Sequence, residues 1–275
     1  MSHTQRDSAA VFALMVLIAG ALPVAVAQNS QPDALVSVRA AVGAEMLASQ
    51  TDKTIWTYRE HDDSPGQDAT YLTIETREGT LRRMIELNGH PLSPQAVQAE
   101  TERISHYVHD PEAQARERKN GAHDDAQAAE MLRMLPQAFT WFIVNETPEL
   151  ITLRFEPSAD FDPPDMQARV MGQMSGEMVV VRDGNRIRTL RGHLTSNVLI
   201  GFGILAKLYK GGTFDVERRQ VGGGHWQITE THVHIGGHAL LFKNIGQQED
   251  DVKTDWKSST DETLEEAART LDAER

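Results

Sequence analysis

The 275-residue chain contains no cysteine. This absence excludes disulfide bonds, thiolate metal sites, cysteine nucleophiles and the cysteine-linked lipid anchor of bacterial lipoproteins. A chain of this length can bury a sufficient hydrophobic core without disulfides. The sequence also has no G-x-S-x-G elbow, complete phosphate-binding loop or G-x-G-x-x-G fingerprint. We therefore favour a binding protein over an enzyme, although the sequence leaves catalysis open.

Basic residues are also scarce relative to acidic ones. The chain has 27 lysines and arginines against 40 aspartates and glutamates, a formal net charge of −13. Phosphate backbones and anionic membrane surfaces attract proteins of the opposite charge. We therefore expect no nucleic-acid partner.

The first residues have the three parts of a secretory signal peptide. A polar start with Arg6 precedes an uninterrupted apolar run at 11–22, and Pro23 and the A-x-A site ending at Ala27 follow. The run is shorter than the roughly 20 apolar residues of a membrane-spanning helix. We predict cleavage near Ala27, which would leave a periplasmic or secreted protein without a transmembrane segment. An uncleaved N-terminal anchor is the alternative.

Beyond the predicted signal peptide (1–27), periodicity favours a single β domain (28–257) with a helical insert (93–135). Residues 32–49 carry an apolar stripe at helical spacing and predict a first helix. From 258 to 275 we expect an acidic helix or tail, with a capping box formed by Ser259 and Glu262. Alternating or apolar segments predict strands at 54–59, 71–76, 81–87, 139–144, 150–155, 178–181, 187–194, 213–221 and 225–242. Their short connections predict an antiparallel sheet, and hence a mainly β protein with α-helices.

Three histidines offer the clearest candidate for metal chemistry. His232 and His234 lie on one face of a predicted strand, and His238 joins them if the strand stays regular. Three imidazoles could bind Zn²⁺ and leave a fourth position open. The neighbouring glycines favour a bulge that would break the alternation. The alternative is therefore an ordinary row of solvent-facing histidines.

The most apolar segment after the signal peptide is 198–209, which is apolar on both faces except for Lys207. It predicts either a buried strand or a flexible lip over a ligand cavity. In the second case the cavity would be lined by a set of large apolar side chains: Trp56, Tyr58, Trp141, Phe155, Phe202, Ile204 and Leu205. The same residues are equally suited to an ordinary hydrophobic core.

The order of elements is signal peptide, amphipathic helix, β-meander, helical insert and further strands, with a D-G-x-x-I-x-x-L strand–turn–strand from Asp183 to Leu190. Over roughly residues 32–257, this order resembles the LolA/LolB-like superfamily of periplasmic lipoprotein carriers, in particular its uncharacterised secreted bacterial members. The resemblance implies a strongly curved antiparallel sheet, an incomplete β-barrel covered by helices, whose concave face holds an acyl chain. The long polar insert and the acidic tail depart from the carriers.

Three functions follow as hypotheses. The first is a periplasmic protein that holds a lipid or lipoprotein acyl chain in an apolar cavity and needs no cofactor. The second is a zinc-dependent enzyme that uses the histidines. The third is a structural or sensory envelope protein that binds a protein partner.

Overall fold

Antiparallel strands are the commonest secondary structure in this computed structural model, which describes residues 31–200, 206–239 and 243–274. Thirteen strands form one sheet in these ranges. They are β1 (Trp56–Ser64), β2 (Gln67–Glu75), β3 (Thr80–Leu87), β4 (His90–Pro91), β5 (Phe139–Glu146), β6 (Leu150–Pro157), β7 (Met174–Val181), β8 (Arg186–Leu194), β9 (Val198–Ile200), β10 (Ala206–Leu208), β11 (Thr213–Gly222), β12 (His225–Ala239) and β13 (Lys243–Ser258). The predicted signal peptide lies outside the described residues.

The strand order is β4-β3-β2-β1-β13-β12-β11-β8-β7-β6-β5, and β10 pairs with both β9 and the end of β12. The order ends at β4 and β5, and the sheet does not close into a barrel. Five α-helices accompany it in the described ranges: α1 (Gln31–Thr51), α2 (Pro94–Val108), α3 (Pro111–Ala138), α4 (Met166–Met171) and α5 (Leu264–Ala273). The predicted fold class, a mainly β protein with α-helices on an antiparallel sheet that does not close into a complete barrel, is confirmed.

The helices cover both faces of the sheet, as the register of paired residues shows. Val216, Thr231, Asp251 and Asp62 are paired in one row across β11, β12, β13 and β1, so their side chains share a face. We call this the inner face, and α1, α3 and α4 pack on it. Arg83 belongs to the opposite, outer face, on which α2 and α5 pack.

Each face has its own hydrophobic core. The inner core joins Val38 and Val42 of α1 and Leu135 of α3 to the buried side chains of β5–β8. The outer core joins Ile104 of α2 and Leu271 of α5 to β2 and β3. Together the two cores dock all the long helices onto a single sheet.

A pair of glycines brings β7 and β8 unusually close to their neighbours. Gly176 and Gly192 are register partners. A Cβ on Gly176 would lie 1.9 Å from the Arg191 carbonyl oxygen, and one on Gly192 would lie 2.5 Å from Cε1 of Phe214. Only glycine fits such an approach, and the missing side chains leave room on the inner face for the rings of Phe155 and Phe214.

Several sequence predictions need correction. The C-terminal capping box is formed by Thr263 and Glu266, not by Ser259 and Glu262. α3 continues to Ala138, three residues past the predicted end at 135, with Pro136 inside its last turn. The prediction assigned no element to most of β13 or to α4, although β13 is a central strand paired with both β1 and β12.

Candidate functional site

The inner face contains an apolar cavity of about 730 Å³ between the sheet and the helices α3 and α4. Its volume lies within the range of small-molecule binding sites in proteins, roughly 300–1,000 Å³. Gln167 is the one polar residue among the described residues of the wall. The others are Ala128, Met131, Leu132, Leu135, Phe139, Phe155, Met166, Val170, Met171, Met174, Leu190, Leu208, Phe214, Val216 and Ile235.

The roof of the cavity comes from the C-terminal half of α3. Ala128, Met131, Leu132 and Leu135 recur at steps of three, one and three residues, which places them on one side of the helix. The N-terminal half of the same helix is polar and exposed, from Glu112 onward. α3 therefore changes from a solvated helix into an amphipathic one as it reaches the cavity.

The floor of the cavity comes from inward side chains of neighbouring strands. Leu190 on β8 is the register partner of Val216 on β11, and Phe214 lies two residues away on the same face. Phe155 on β6 is paired with Gly176, so its ring extends over a position that has no side chain. These neighbours form a continuous apolar surface.

The composition of the wall determines what the cavity can bind. No described wall residue is titratable, so the wall offers neither a general acid or base nor a counter-ion. Four methionines contribute flexible, polarisable side chains that can adapt to ligands of different shape. The arrangement is suited to holding an apolar molecule by burial.

The seven residues predicted to line a cavity lie in different places in the structure. Phe155 lines the cavity, and Trp141 packs behind it, with 5.3 Å between the ring centroids and its indole Nε1 donating to the Leu135 carbonyl oxygen at 3.0 Å. Trp56 and Tyr58 lie on β1, where both rings contact Trp256, and neither belongs to the described wall. The remaining three, Phe202, Ile204 and Leu205, lie outside the described residues.

Most of the wall was missed at the sequence level. The helical stripe on α3 was the available signal, but it lies in an insert whose overall composition is polar. The strands that contribute apolar residues to the wall were predicted. Alternation alone, however, does not distinguish a sheet face that borders a cavity from one that is fully packed.

The predicted histidine row lies on the outer face. His232 and His234 both bind Asp250: His232 Nδ1 is 2.5 Å from Oδ1, and His234 Nε2 is 2.9 Å from Oδ2. The hydrogen bond to Asp250 raises the pKa of His232. Burial alone would raise the pKa of Asp250, but its hydrogen bonds to the two imidazoles lower it overall. No group of three potential ligands in the described parts of the chain could hold a metal ion, and the His238 side chain lies outside those parts.

A band of charged side chains continues the inner face beyond the cavity. Glu60 lies 3.0 Å from Arg82 and 3.7 Å from Lys253, and Lys253 lies 2.9 Å from Asp251. Burial raises the pKa of Glu60 despite its two cationic neighbours. The inner face therefore changes from apolar at β11 to charged at β13 and β1, two to three strands away.

Comparison with protein-family models, with curated proteins and with solved structures finds no match to this chain. The resemblance to the lipoprotein carriers therefore stays a prediction. Among the helices described here, none is both long enough and apolar enough to cross a membrane.

Proposed function

We propose that the protein is a periplasmic binding protein that holds an acyl chain of a lipid or lipoprotein in the inner-face cavity. The observation that carries the proposal is the cavity wall, which is apolar except for Gln167 in the residues the structure describes. The predicted signal peptide supports the location. The predicted resemblance to lipoprotein carriers agrees with this function but adds no residue to it.

Apolar burial alone can supply the affinity. Each methylene group removed from water contributes about 0.8 kcal/mol, so ten buried methylenes contribute about 8 kcal/mol before the costs of association. The charged band begins near the cavity: Val216 in the wall and Asp251 in the band lie two strands apart in the same row, or roughly 10 Å at normal strand spacing. A bound amphipathic molecule could thus keep its polar end beside polar side chains.

A charge placed in the roof tests the site directly. The substitution Met131→Glu puts a carboxylate against any bound acyl chain, and burying an unpaired charge costs several kcal/mol. We expect it to weaken binding of a fluorescent fatty acid at least about tenfold. Leu47→Glu is the matched control, because Leu47 lies on α1 with 62% of its surface exposed, and it should bind as the wild type does.

Two results would contradict the proposal. One is wild-type protein that shows no uptake of the fluorescent fatty acid and a clean unliganded mass after native purification. The other is equal binding by both variants, which would place the ligand outside the cavity. Circular dichroism of each variant separates loss of binding from loss of fold.

A further inference from the structure

A separate cavity of about 730 Å³ lies on the outer face, between α2 and α5. The lining residues of each helix lie on one side of it, at spacings of three or four positions. They fall between Thr101 and Val108 on α2 and between Glu265 and Asp272 on α5. Arg83 of β3 lies at its sheet side. Because Arg83 belongs to the outer face, this cavity is separated by the sheet from the apolar cavity.

Arg83 is only 4% exposed, and its guanidinium is incompletely bonded. Nη2 donates to Thr101 Oγ1 at 3.0 Å and to Asp272 Oδ1 at 3.2 Å. Nε and Nη1 have no hydrogen-bond partner within residues 31–200, 206–239 and 243–274. Since Nε carries one N–H and Nη1 carries two, three of the five donors of this buried cation are unpaired.

Nearby carboxylates do not complete this coordination. Glu100 of α2 accepts hydrogen bonds from Arg103 at 2.8 Å and from the Met84 N–H at 3.0 Å. Asp272 contacts the guanidinium at Nη2, and 46% of its side chain is exposed. A buried cation with unpaired donors is unfavourable unless an acceptor reaches it.

We propose that the α2–α5 cavity binds a small ligand through a phosphate or carboxylate group that accepts hydrogen bonds from Arg83. Arg269 adds a second positive charge to the wall, and Ser105 and His109 add polar groups. Glu265 and Asp272 balance the two arginines, so the wall has no formal net charge with His109 neutral. The wall is neutral and the whole chain has a net charge of −13, so the protein repels a polyanion more strongly than a singly charged ligand. The cavity therefore favours a small monoanion or zwitterion.

The Arg83 Nε–H resonance can report binding in the folded protein. We would titrate ¹⁵N-labelled wild-type protein with inorganic phosphate, with acetate, and with chloride at matched ionic strength. The resonance is assigned by its loss in Arg83→Lys. We expect the chemical shift of this resonance to change in a saturable way with phosphate or acetate and not to change with chloride. The same non-saturating response to all three salts would overturn the proposal.

A filled cavity supplies the second arm of the test. Ala268→Phe places a ring in the cavity and leaves Arg83 intact, and it should weaken oxyanion binding at least about tenfold. Ala122→Phe makes the same change on an exposed part of α3 and should bind normally. Equal binding by the two variants would contradict the site, even if Arg83→Lys fails to fold. Fatty-acid binding in the other cavity should be unchanged by Ala268→Phe, so each proposal can fail alone.

Discussion

Replacing Glu45 by glutamine should strongly destabilise the protein, because this carboxylate connects α1 to the sheet. Glu45 is 6% exposed. Its Oε1 accepts from Arg186 Nε at 3.1 Å and from the Ile187 N–H at 2.9 Å, and its Oε2 accepts from Arg186 Nη2 at 2.9 Å. Arg218 pairs with the same Oε2. One carboxylate thus pairs with two guanidinium groups, one from β8 and one from β11.

The size of the effect follows from what the substitution leaves behind. The side chains of Arg186 and Arg218 are only 16% and 19% exposed. Without Glu45 they would face each other as partly buried cations that share a neutral amide. Removing one partner of a buried ion pair costs about 3–5 kcal/mol, out of a total stability of about 5–15 kcal/mol for a typical domain. Urea unfolding followed by circular dichroism would measure the difference at pH 7.

The pH dependence of this difference is a second readout. Burial raises the pKa of Glu45, but the hydrogen bonds from Arg186, Arg218 and the Ile187 N–H and the charge of Arg218 outweigh it, so the pKa lies below its ordinary value of 4.5. A carboxylate with a lowered pKa stabilises the fold above its unfolded value and loses that contribution as pH falls through the folded one. The deficit of Glu45→Gln should therefore be full at neutral pH and shrink below pH 4.5.

An exposed ion pair supplies the control for this substitution. Glu112 lies 3.9 Å from Arg116 on the surface of α3, where its side chain is 89% exposed. Such pairs contribute little to stability, so Glu112→Gln should unfold at the wild-type urea concentration. A loss of less than about 1 kcal/mol in Glu45→Gln, or a deficit that does not depend on pH, would refute this reasoning.

Three further predictions concern the sheet. Gly192→Ala would place a methyl group 2.5 Å from the Phe214 ring; we expect a loss of about 1–3 kcal/mol in urea unfolding, and wild-type stability would contradict it. Burial raises the pKa of Glu75 to about 6, so its contribution to stability is present below pH 4.5 and lost as pH rises through 6. Glu75→Gln, which cannot ionise, should lose less stability over that interval, and parallel pH profiles would count against the burial argument. The His232 ring should titrate above its ordinary value of 6.5 by NMR because it hydrogen bonds to Asp250, and Asp250→Asn should lower that midpoint; no change would rule the bond out.

The sequence predicted the fold class because most strands alternate and their links are short. β13 was missed for a physical reason: from Glu249 to Lys253 it has one apolar residue, Val252. A central strand is normally predicted from its apolar side chains. The side chains of β13 in this stretch are instead charged and form ion pairs with residues of the neighbouring strands. Lys253 lies beside Glu60, and Asp250 beside two histidines. Such pairs become visible only once the register is known.

The candidate site was less predictable than the fold. Residues of the wall come from seven strands and two helices between 128 and 235, and the space between these elements cannot be read from the sequence. The predicted set consists of large apolar side chains, yet Trp141 packs in the core behind the wall, while Met131 and Leu132 line the cavity. A cavity forms where the surrounding side chains leave space unfilled, as the glycine pair of β7 and β8 illustrates. The periodicity of a sequence carries no information about such unfilled space.

The separation of the two faces depends on the register of β13. Asp250 and Val252 point to the outer face and Asp251 and Lys253 to the inner face, since alternate residues of a strand point to opposite sides. A slip of one residue would remove Asp250 from His232 and Lys253 from Glu60, and every charge of the strand would change sides. Between Glu249 and Lys253 the strand has one apolar residue, so apolar burial does little there to prevent this slip. The cross-strand ion pairs, together with the contacts of Trp256 with Trp56 and Tyr58, therefore fix the register, and through it they keep the charged band on the same face as the apolar cavity.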